Sequence, residues 1–215
     1  MRDIFVNGYA YPSISQEVLA DWLPSLTFVS CFSYGFAEDG HIIQLEDDAL
    51  REPAAAAGVK ALMVLTPMDE TGMFSNNRAK VLLESPAAQD NFLSDIIYTL
   101  EQKDMFGVDF DFEYVYPENR QQYAQLIGEA RQRLNPMGCI VTAALAPKTS
   151  ADQPGLLYQG HDYELIGKAA NLCLIMSYEW GYTYGPPMAV APLNAVRRVI
   201  EYGLTEIPPE KILMG

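Results

Sequence analysis

The 215-residue sequence predicts a single α/β domain built as a (β/α)8 barrel. Apolar runs typical of buried strands alternate with segments of helical composition, and this order gives parallel strands joined by right-handed crossovers. An open doubly wound sheet usually carries a glycine-rich phosphate loop after its first strand, and residues 7–12 (NGYAYP) do not fit that pattern. A row of acids in the fourth strand also favours the barrel, because a barrel can enclose carboxylates in a polar lumen.

The strands are predicted from apolar or alternating runs that end at turn residues. They span residues 3–11, 26–34, 59–66, 106–114, 139–146, 171–178 and 211–215, with a short hairpin arm at 41–43. The helices are predicted from helical spacing of apolar residues and from Ser or Pro at the first turn. They span residues 15–23, 47–57, 78–83, 85–103, 117–134, 163–169 and 192–203.

About six strands and the start of a seventh are present, so the predicted barrel is C-terminally incomplete. A barrel in this condition has unpaired strand edges and an exposed apolar lumen. We therefore expect residues 1–215 to be a single domain that is truncated before the last barrel strands. Either a missing C-terminal segment or self-association would cover the open edge.

Composition and charge narrow the possible partners. The formal net charge of −14 argues against nucleic acid and anionic membrane surfaces, which both require cationic patches. No apolar run reaches the length of a membrane span, so membrane insertion is not expected. Residues 1–12 contain Asp3 and a Gly-Tyr-Pro turn too early for a signal-peptide core, so no export signal is visible.

The cysteines are predicted to be core residues. Cys31, Cys139 and Cys173 are odd in number, and each lies inside an apolar run. There is no CxxC motif or paired histidine spacing that would indicate a metal site.

The candidate catalytic residues lie in the fourth predicted strand. Within residues 108–113, Asp109, Asp111 and Glu113 alternate with large apolar residues, so the acids share one face of the strand. If that face is enclosed, the like charges raise one another's pKa values, and at least one carboxyl keeps its proton near neutral pH. Such an acid at a strand end is a candidate proton donor. A Ca²⁺ or Mg²⁺ site and a solvated acidic face are the other interpretations of this row.

The spacing of the acids restricts the possible mechanism. Residues two apart on a strand lie roughly 6.6 Å apart on the same side, whereas ordinary glycosidases place two carboxyls across the scissile bond. If the protein is a glycosidase, its nucleophile should come from elsewhere, and the 2-acetamido group of the substrate is the obvious source. Glu113 would then protonate the leaving oxygen, Asp111 would orient the acetamido group, and Asp109 would share a proton with Asp111.

Two motifs resemble those of glycoside hydrolase family 18, the chitinase-like enzymes. Residues 107–113 (GVDFDFE) are similar to the fourth-strand signature DGxDxDxE, with Phe106 in place of the first aspartate. Residues 176–179 (MSYE) are similar to the sixth-strand MxYD motif, with Glu179 in place of aspartate. The resemblance implies that Tyr178 hydrogen-bonds the acetamido carbonyl and that Met176 supports the site.

Three further segments, residues 6–12, 144–148 and 178–192, resemble the spore-germination branch of that family. That branch implies an N-acetylglucosaminidase acting on cortex peptidoglycan or chitin-like chains by a retaining, substrate-assisted mechanism. It also implies a (β/α)8 fold, no metal and no cofactor. The resemblance suggests the spore coat or cell envelope as the location, although no LysM module is present in the chain.

Substrate-binding candidates stand at strand ends and in the aromatic loop that follows the sixth strand. They are Tyr9, Tyr34, Glu179 and Trp180, with Tyr182 and Tyr184 as further aromatics that either stack on sugars or pack within the loop. The alternative function is a non-catalytic, chitinase-like protein that binds amino sugars. A metal-binding α/β domain is a third reading of the acid row.

Overall fold

A computed structural model describes residues 4–69, 71–181 and 185–215. Within these ranges, seven parallel strands form one curved sheet in the order β1-β2-β4-β5-β6-β7-β8, and β3 pairs antiparallel with β2. The strands are β1 Asn7–Ala10, β2 Phe28–Phe36, β3 Ile42–Ile43, β4 Lys60–Leu65, β5 Gly107–Phe110, β6 Ile140–Leu145, β7 Leu172–Ile175 and β8 Ile212–Met214. The predicted incomplete (β/α)8 barrel is confirmed, with β1 and β8 at the two edges of the described sheet.

Helices connect the strands. They are α1 Gln16–Trp22, α2 Asp48–Ala56, α3 Asn76–Glu84, α4 Pro86–Lys103, α5 Arg120–Leu134, α6 Leu156–Gln159, α7 Tyr163–Ala169 and α8 Leu193–Glu206. The sequence predicted each of them except the short α6. Ser85 separates α3 from α4, and its hydroxyl accepts the Ala88 N–H at the start of α4. Across the described residues, none of the helices is both long and apolar enough to cross a membrane.

The main core lies between the sheet and the helices. Phe110 and Phe112 are fully buried on the side of the acidic run that faces α4 and α5. Phe112 stacks on Tyr123 of α5 at 5.3 Å between ring centroids, and Phe110 meets Phe92 of α4 edge-on at 6.2 Å. Because side chains alternate along a strand, this packing directs the neighbouring acids to the opposite side, toward the barrel interior.

Gly107 allows β5 to approach β6 closely. A Cβ atom at this position would lie 2.2 Å from the Ile140 carbonyl oxygen, so any side chain would force the two strands apart. The preceding Phe106, which replaces an aspartate of the family signature, stacks on Phe28 at 5.7 Å. The Lys60 ammonium lies 3.7 Å from the Phe106 ring centroid. This end of the strand is therefore built from aromatic packing.

The prediction that Tyr34 lines a substrate site is wrong. Its side chain is fully buried, and its hydroxyl donates a 2.5 Å hydrogen bond to the Asp47 carboxylate. Asp47 also accepts hydrogen bonds from Lys103 at 2.9 Å and from Arg51 at 3.0 Å. Burial tends to raise the pKa of Asp47, but these three hydrogen bonds outweigh it and hold the pKa below its usual value. Tyr34 thus belongs to a structural network that joins β2, α2 and α4.

The cysteines are core residues, as predicted. Cys31 and Cys173 are buried, Cys139 is half-buried, and all three of these described residues are free thiols. Burial raises the pKa of the Cys31 and Cys173 thiols to about 12, which keeps them protonated.

Substitution of Asp47 tests the buried network. Asp47→Asn leaves the charges of Lys103 and Arg51 without their buried partner, so the free energy of unfolding should fall by about 3 kcal/mol. Urea denaturation at pH 7 measures the change. Asp48→Asn is the matched control, because Asp48 also pairs with Arg51 but has a side chain that is 67% exposed. Equal effects of the two substitutions would contradict the assigned role of Asp47.

Candidate active site

A cavity of about 410 Å³ lies at the C-terminal ends of the strands. Its lining comes from β1, β2, β6, β7 and the segments that follow β1, β4, β5 and β7: Tyr9, Ala10, Tyr11, Phe32, Phe74, Asp111, Glu113, Ala144, Leu174, Met176, Tyr178 and Glu179. Active sites of (β/α)8 barrels are found at this end. A larger depression of about 720 Å³ between α5 and α7 contains no carboxylate in its lining.

Asp109 is the deepest acid of the row. It is 1% exposed and accepts hydrogen bonds from the Tyr9 hydroxyl, at 2.5 Å, and from the Thr142 hydroxyl. Burial raises the pKa of Asp109, and the two hydrogen bonds oppose that shift by stabilising the carboxylate. Tyr9 therefore has a role that sequence reasoning missed, since it supports Asp109 as well as lining the cavity.

Within the described part of the chain, Asp111 is a buried acid with an unpartnered side-chain oxygen. It is 6% exposed, and its Oδ1 atom has no hydrogen-bond partner among the described residues. Burial raises the pKa of Asp111 well above its ordinary value, and the charges of Asp109 and Glu113 raise it further. The structure shows no hydrogen bond between Asp109 and Asp111, so the link between the two is electrostatic. Asp111 lines the cavity, so its carboxyl can meet a hydrogen-bond donor of a ligand there.

Glu113 stands at the mouth of the cavity. It is half-buried, and its pKa is raised by burial and then by the charge of Glu179. A carboxyl with an elevated pKa and access to solvent can both give and recover a proton near neutral pH. Its neighbour Tyr114 has φ 56° and Glu179 has φ 61°, both in the left-handed region that few non-glycine residues adopt. Local backbone strain of this kind is concentrated at functional sites.

Tyr178, Met176 and Glu179 reach the same cavity from the end of β7. Burial raises the pKa of Tyr178 to about 12, with contributions from the charges of Asp111, Glu179 and Glu113. The hydroxyl consequently keeps its proton at neutral pH and can donate a hydrogen bond. The structure brings Tyr178 and Met176 together with the acid row, as the sequence motifs indicated.

Trp180 is placed differently from the prediction. It is half-buried against the core, and its indole N–H donates to the Ser177 carbonyl at 3.1 Å. It is not part of the lining of the described cavity. Tyr182 and Tyr184, predicted as possible stacking platforms, lie outside the described residues.

Aromatic side chains form another part of the wall, and the sequence did not single out Phe32 and Phe74 among them. Phe32 and Tyr11 meet edge-on at 5.2 Å, and Phe74 meets Tyr114 edge-on at 6.5 Å. Phe74 comes from the loop after β4, in which the sequence predicts no site residue. An aromatic side chain in an irregular loop gives no periodic signal, so only the folded loop could assign Phe74 to the cavity.

The arrangement of the acidic side chains is relevant to the alternative prediction that the acid row binds a metal ion. Among the described residues, no group of three His, Cys, Asp or Glu side chains has an arrangement suited to holding a metal ion. The acid row accordingly consists of carboxyls stacked along one strand and its continuation, with the outermost carboxyl facing Glu179.

The fold and the site together define a (β/α)8-barrel protein that carries a row of acidic residues at the C-terminal ends of its strands. Residues 13–215 match the family Glycosyl hydrolases family 18, and the chain belongs to that family. The chain is 36% identical over 220 residues to the cortical fragment-lytic enzyme of Bacillus subtilis (strain 168), covering 100% of this chain and 51% of that protein.

Solved structures agree with this assignment. The spore cortex-lytic enzyme SleL of Bacillus cereus superposes with a TM-score of 0.93 at 32% identity, over 99% of this chain and 50% of that one. A chitinase from Chromobacterium violaceum shares the fold, with a TM-score of 0.88 at 21% identity over 99% of this chain and 68% of that one. This chain thus spans about half the length of the cortex-lytic relatives it matches.

Removing the charge of Asp111 should stabilise the fold. The folded pKa of Asp111 lies above that of the unfolded chain, so the ionised form becomes increasingly destabilising as pH rises through this interval. Asp111→Asn should therefore raise the free energy of unfolding at pH 7 by about 1–2 kcal/mol, because a neutral amide is easier to bury than an unpaired carboxylate.

Urea denaturation at pH 7 and at pH 4 measures this effect. The gain should shrink at pH 4, where the wild-type carboxyl binds its proton in the folded state. Asp90→Asn is the control, since Asp90 is 69% exposed beside Arg133 and should change little at either pH. A gain that is absent, or equal at both pH values, would refute the electrostatic account of Asp111.

Proposed function

We propose that this chain forms the catalytic part of a retaining glycoside hydrolase that cleaves β-linked N-acetylglucosamine in peptidoglycan or chitin-like chains. The observation that carries the proposal is the row Asp109, Asp111 and Glu113, enclosed at the strand ends, with its outermost acid at the cavity mouth. The names of the cortex-lytic relatives from Bacillus support peptidoglycan as the substrate class.

The first half-reaction begins at Glu113. Its carboxyl donates a proton to the glycosidic oxygen while the bond from that oxygen to C1 breaks. The carbonyl oxygen of the 2-acetamido group attacks C1 from the opposite face and forms a cyclic oxazolinium ion. Asp111, which lines the cavity, accepts a hydrogen bond from the acetamido N–H and balances the positive charge. Tyr178 donates its hydroxyl hydrogen bond to the acetamido carbonyl oxygen and holds it toward C1.

The second half-reaction reverses the roles. The Glu113 carboxylate takes a proton from a water molecule as that water attacks C1, and the ring opens to restore the acetamido group. Two inversions at C1 give net retention of configuration. Burial and the charge of Asp109, which Tyr9 and Thr142 hold in place, favour the protonated form of Asp111 in the resting state. That proton passes to Asp109 as the oxazolinium ion forms, which leaves Asp111 ionised beside the positive charge, and it returns to Asp111 when the ring opens.

Glu179 supports a second candidate mechanism. It lines the same cavity as Glu113, and the two carboxyls interact electrostatically. A pair of carboxyls on opposite sides of the bond could instead act as acid and base, or as acid and nucleophile, without the acetamido group. The two mechanisms differ in their dependence on Glu179 and on the 2-acetamido group.

Glu113→Gln should lower kcat on cortex peptidoglycan or N-acetylglucosamine oligomers by about 10²–10⁴-fold, with KM little changed, because the amide cannot transfer a proton. The assay is mass spectrometry of the released fragments. Glu118→Gln is the control, since Glu118 is 60% exposed and lies away from the cavity. Proton NMR of early products should show the β-anomer. Near-wild-type kcat for Glu113→Gln, or an inverted product, would contradict the proposal.

Glu179→Gln distinguishes the two mechanisms in the same assay. Under substrate-assisted catalysis it should retain much more activity than Glu113→Gln, and substrates without the acetamido group should not be cleaved. Equal loss for the two variants would favour the two-carboxylate mechanism. Binding of oligomers without any turnover by the wild-type chain would favour the non-catalytic alternative.

We also propose that further strands close the barrel between β1 and β8. A cavity of about 1140 Å³ separates these edges, and its lining includes the apolar side chains of Ile4 and Met214, which are 84% and 68% exposed. The relatives are about twice as long as this chain, which supports a segment of the same polypeptide as the occupant.

Hydrogen exchange on the full-length protein checks this closure. Amide hydrogens at the outer edges of β1 and β8 should exchange slowly if further strands pair with them. Protection that depends on concentration, together with dimers in sedimentation, would point to a second copy of the chain as the occupant. Rapid exchange at both edges would overturn the proposal.

A further inference from the structure

His161 joins the ends of two neighbouring strands from inside the protein. Its side chain is fully buried, and each ring nitrogen contacts a backbone group. The Ala146 N–H, just after β6, donates to Nδ1 at 2.8 Å. Nε2 lies 2.9 Å from the Phe112 carbonyl oxygen, just after β5. The imidazole therefore spans the gap between the two segments.

These contacts fix the tautomer of His161. An amide N–H can only donate, so Nδ1 must be unprotonated, and a carbonyl oxygen can only accept, so Nε2 must carry the hydrogen. Burial lowers the pKa of His161 to about 4, which keeps the ring neutral at physiological pH. The neighbouring Lys148 ammonium donates to the His161 carbonyl at 2.9 Å and holds the main chain of His161 in place.

The bonded carbonyl lies at the centre of the acid row. Phe112 stands between Asp111 and Glu113, so any movement of its peptide group moves both acids. The strand β5 ends at Phe110, and the Asp111 N–H makes the next sheet-like bond, to the Leu65 carbonyl at 3.0 Å. Glu113 thus lies beyond the regular ladder, where its position depends on other contacts.

Gly160 provides a second contact with the same segment. A Cβ atom at Gly160 would lie 2.2 Å from the Val115 carbonyl oxygen and 2.6 Å from Val115 Cβ. Its φ of −78° is open to any residue, so the absence of a side chain here serves the close approach and not the backbone conformation. Residues 160 and 161 therefore touch the Glu113-bearing segment on both sides of Glu113.

We propose that Gly160 and His161 are positioning residues that hold the segment 112–115, and with it the Glu113 carboxyl, in its catalytic place. This inference rests on the proposed function, since it assigns a role for that placement. The hydrogen bond from His161 Nε2 fixes the segment before Glu113, and the contact at Gly160 fixes it after Glu113. Neither residue lines the cavity, so both act through the backbone.

Gly160→Ala tests the close approach. The added methyl group should displace Val115 and Glu113. We expect kcat to fall by about 10²-fold with a small change in KM, because a displacement of about 1 Å at a catalytic group costs roughly that factor in rate. Gly128→Ala is the matched control, because a Cβ atom there meets its nearest neighbour at an ordinary 3.8 Å. Both variants are assayed well below their melting temperatures. An unchanged kcat for Gly160→Ala would overturn the inference.

Two substitutions at His161 separate its hydrogen bonds. The side-chain amide of His161→Gln can still donate to the Phe112 carbonyl, whereas the shorter amide of His161→Asn can accept from Ala146 but not reach Phe112. We expect His161→Asn to lose kcat as strongly as Gly160→Ala, and His161→Gln to recover most of it. Equal kcat for the two variants, with equal melting temperatures, would show a purely structural role and refute the inference.

A readout independent of turnover separates this inference from the proposed function. Carbon-13 NMR titration of the Glu113 carboxyl, assigned with Glu113→Gln, should show its pKa moving toward the ordinary value in Gly160→Ala and His161→Asn. If the wild-type chain cleaves no amino-sugar polymer, the proposed function fails while this shift still supports the positioning role. A Glu113 pKa that is unchanged in both variants would overturn the positioning role even in an active enzyme.

Discussion

The packing of Phe110 and Phe112 against α4 and α5 is the constraint on which the site depends. Burying a large apolar side chain stabilises a fold by about 1.5–3 kcal/mol, so two such groups strongly fix which face of the run points outward. A shift of one residue would exchange the faces and bury the acids among Phe92 and Tyr123. The enclosure of the acid row in the barrel follows from this apolar packing on the other side.

The surroundings of the three acids lower the stability of the fold when these acids are ionised. Asp109 has two hydroxyl donors, Asp111 has an oxygen without a partner among the described residues, and Glu113 faces Glu179. Burial and like charge favour the protonated forms of this group, which a domain selected only for stability would avoid. By contrast, the buried acid of the structural network, Asp47, is surrounded by donors. Hydrogen-bond support thus differs between Asp47, in the structural network, and Asp111, which we propose acts in catalysis.

Sequence reasoning succeeded where a pattern is local. The alternation of residues 108–113 predicted a strand with two faces and enclosed acids, although the regular strand ends at Phe110 and Asp111 and Glu113 continue beyond it. The helical periods predicted nearly every helix. It failed where the role depends on a distant partner. Tyr34 and Tyr9 have the same side chain and both stand on predicted strands, yet one donates to Asp47 in the core and the other to Asp109 at the cavity. Only the fold brings these partners together.

The sequence by itself therefore determined the alternating strands, the row of acids and the family signature, because each is written in residues a few positions apart. The tertiary structure alone decided which aromatic side chains reach the cavity, and how His161 comes to contact a carbonyl 49 residues earlier in the chain. The physical reason is that periodicity reports the environment of a side chain, buried or exposed. Identifying its partner requires knowing how separate strands and loops converge in space.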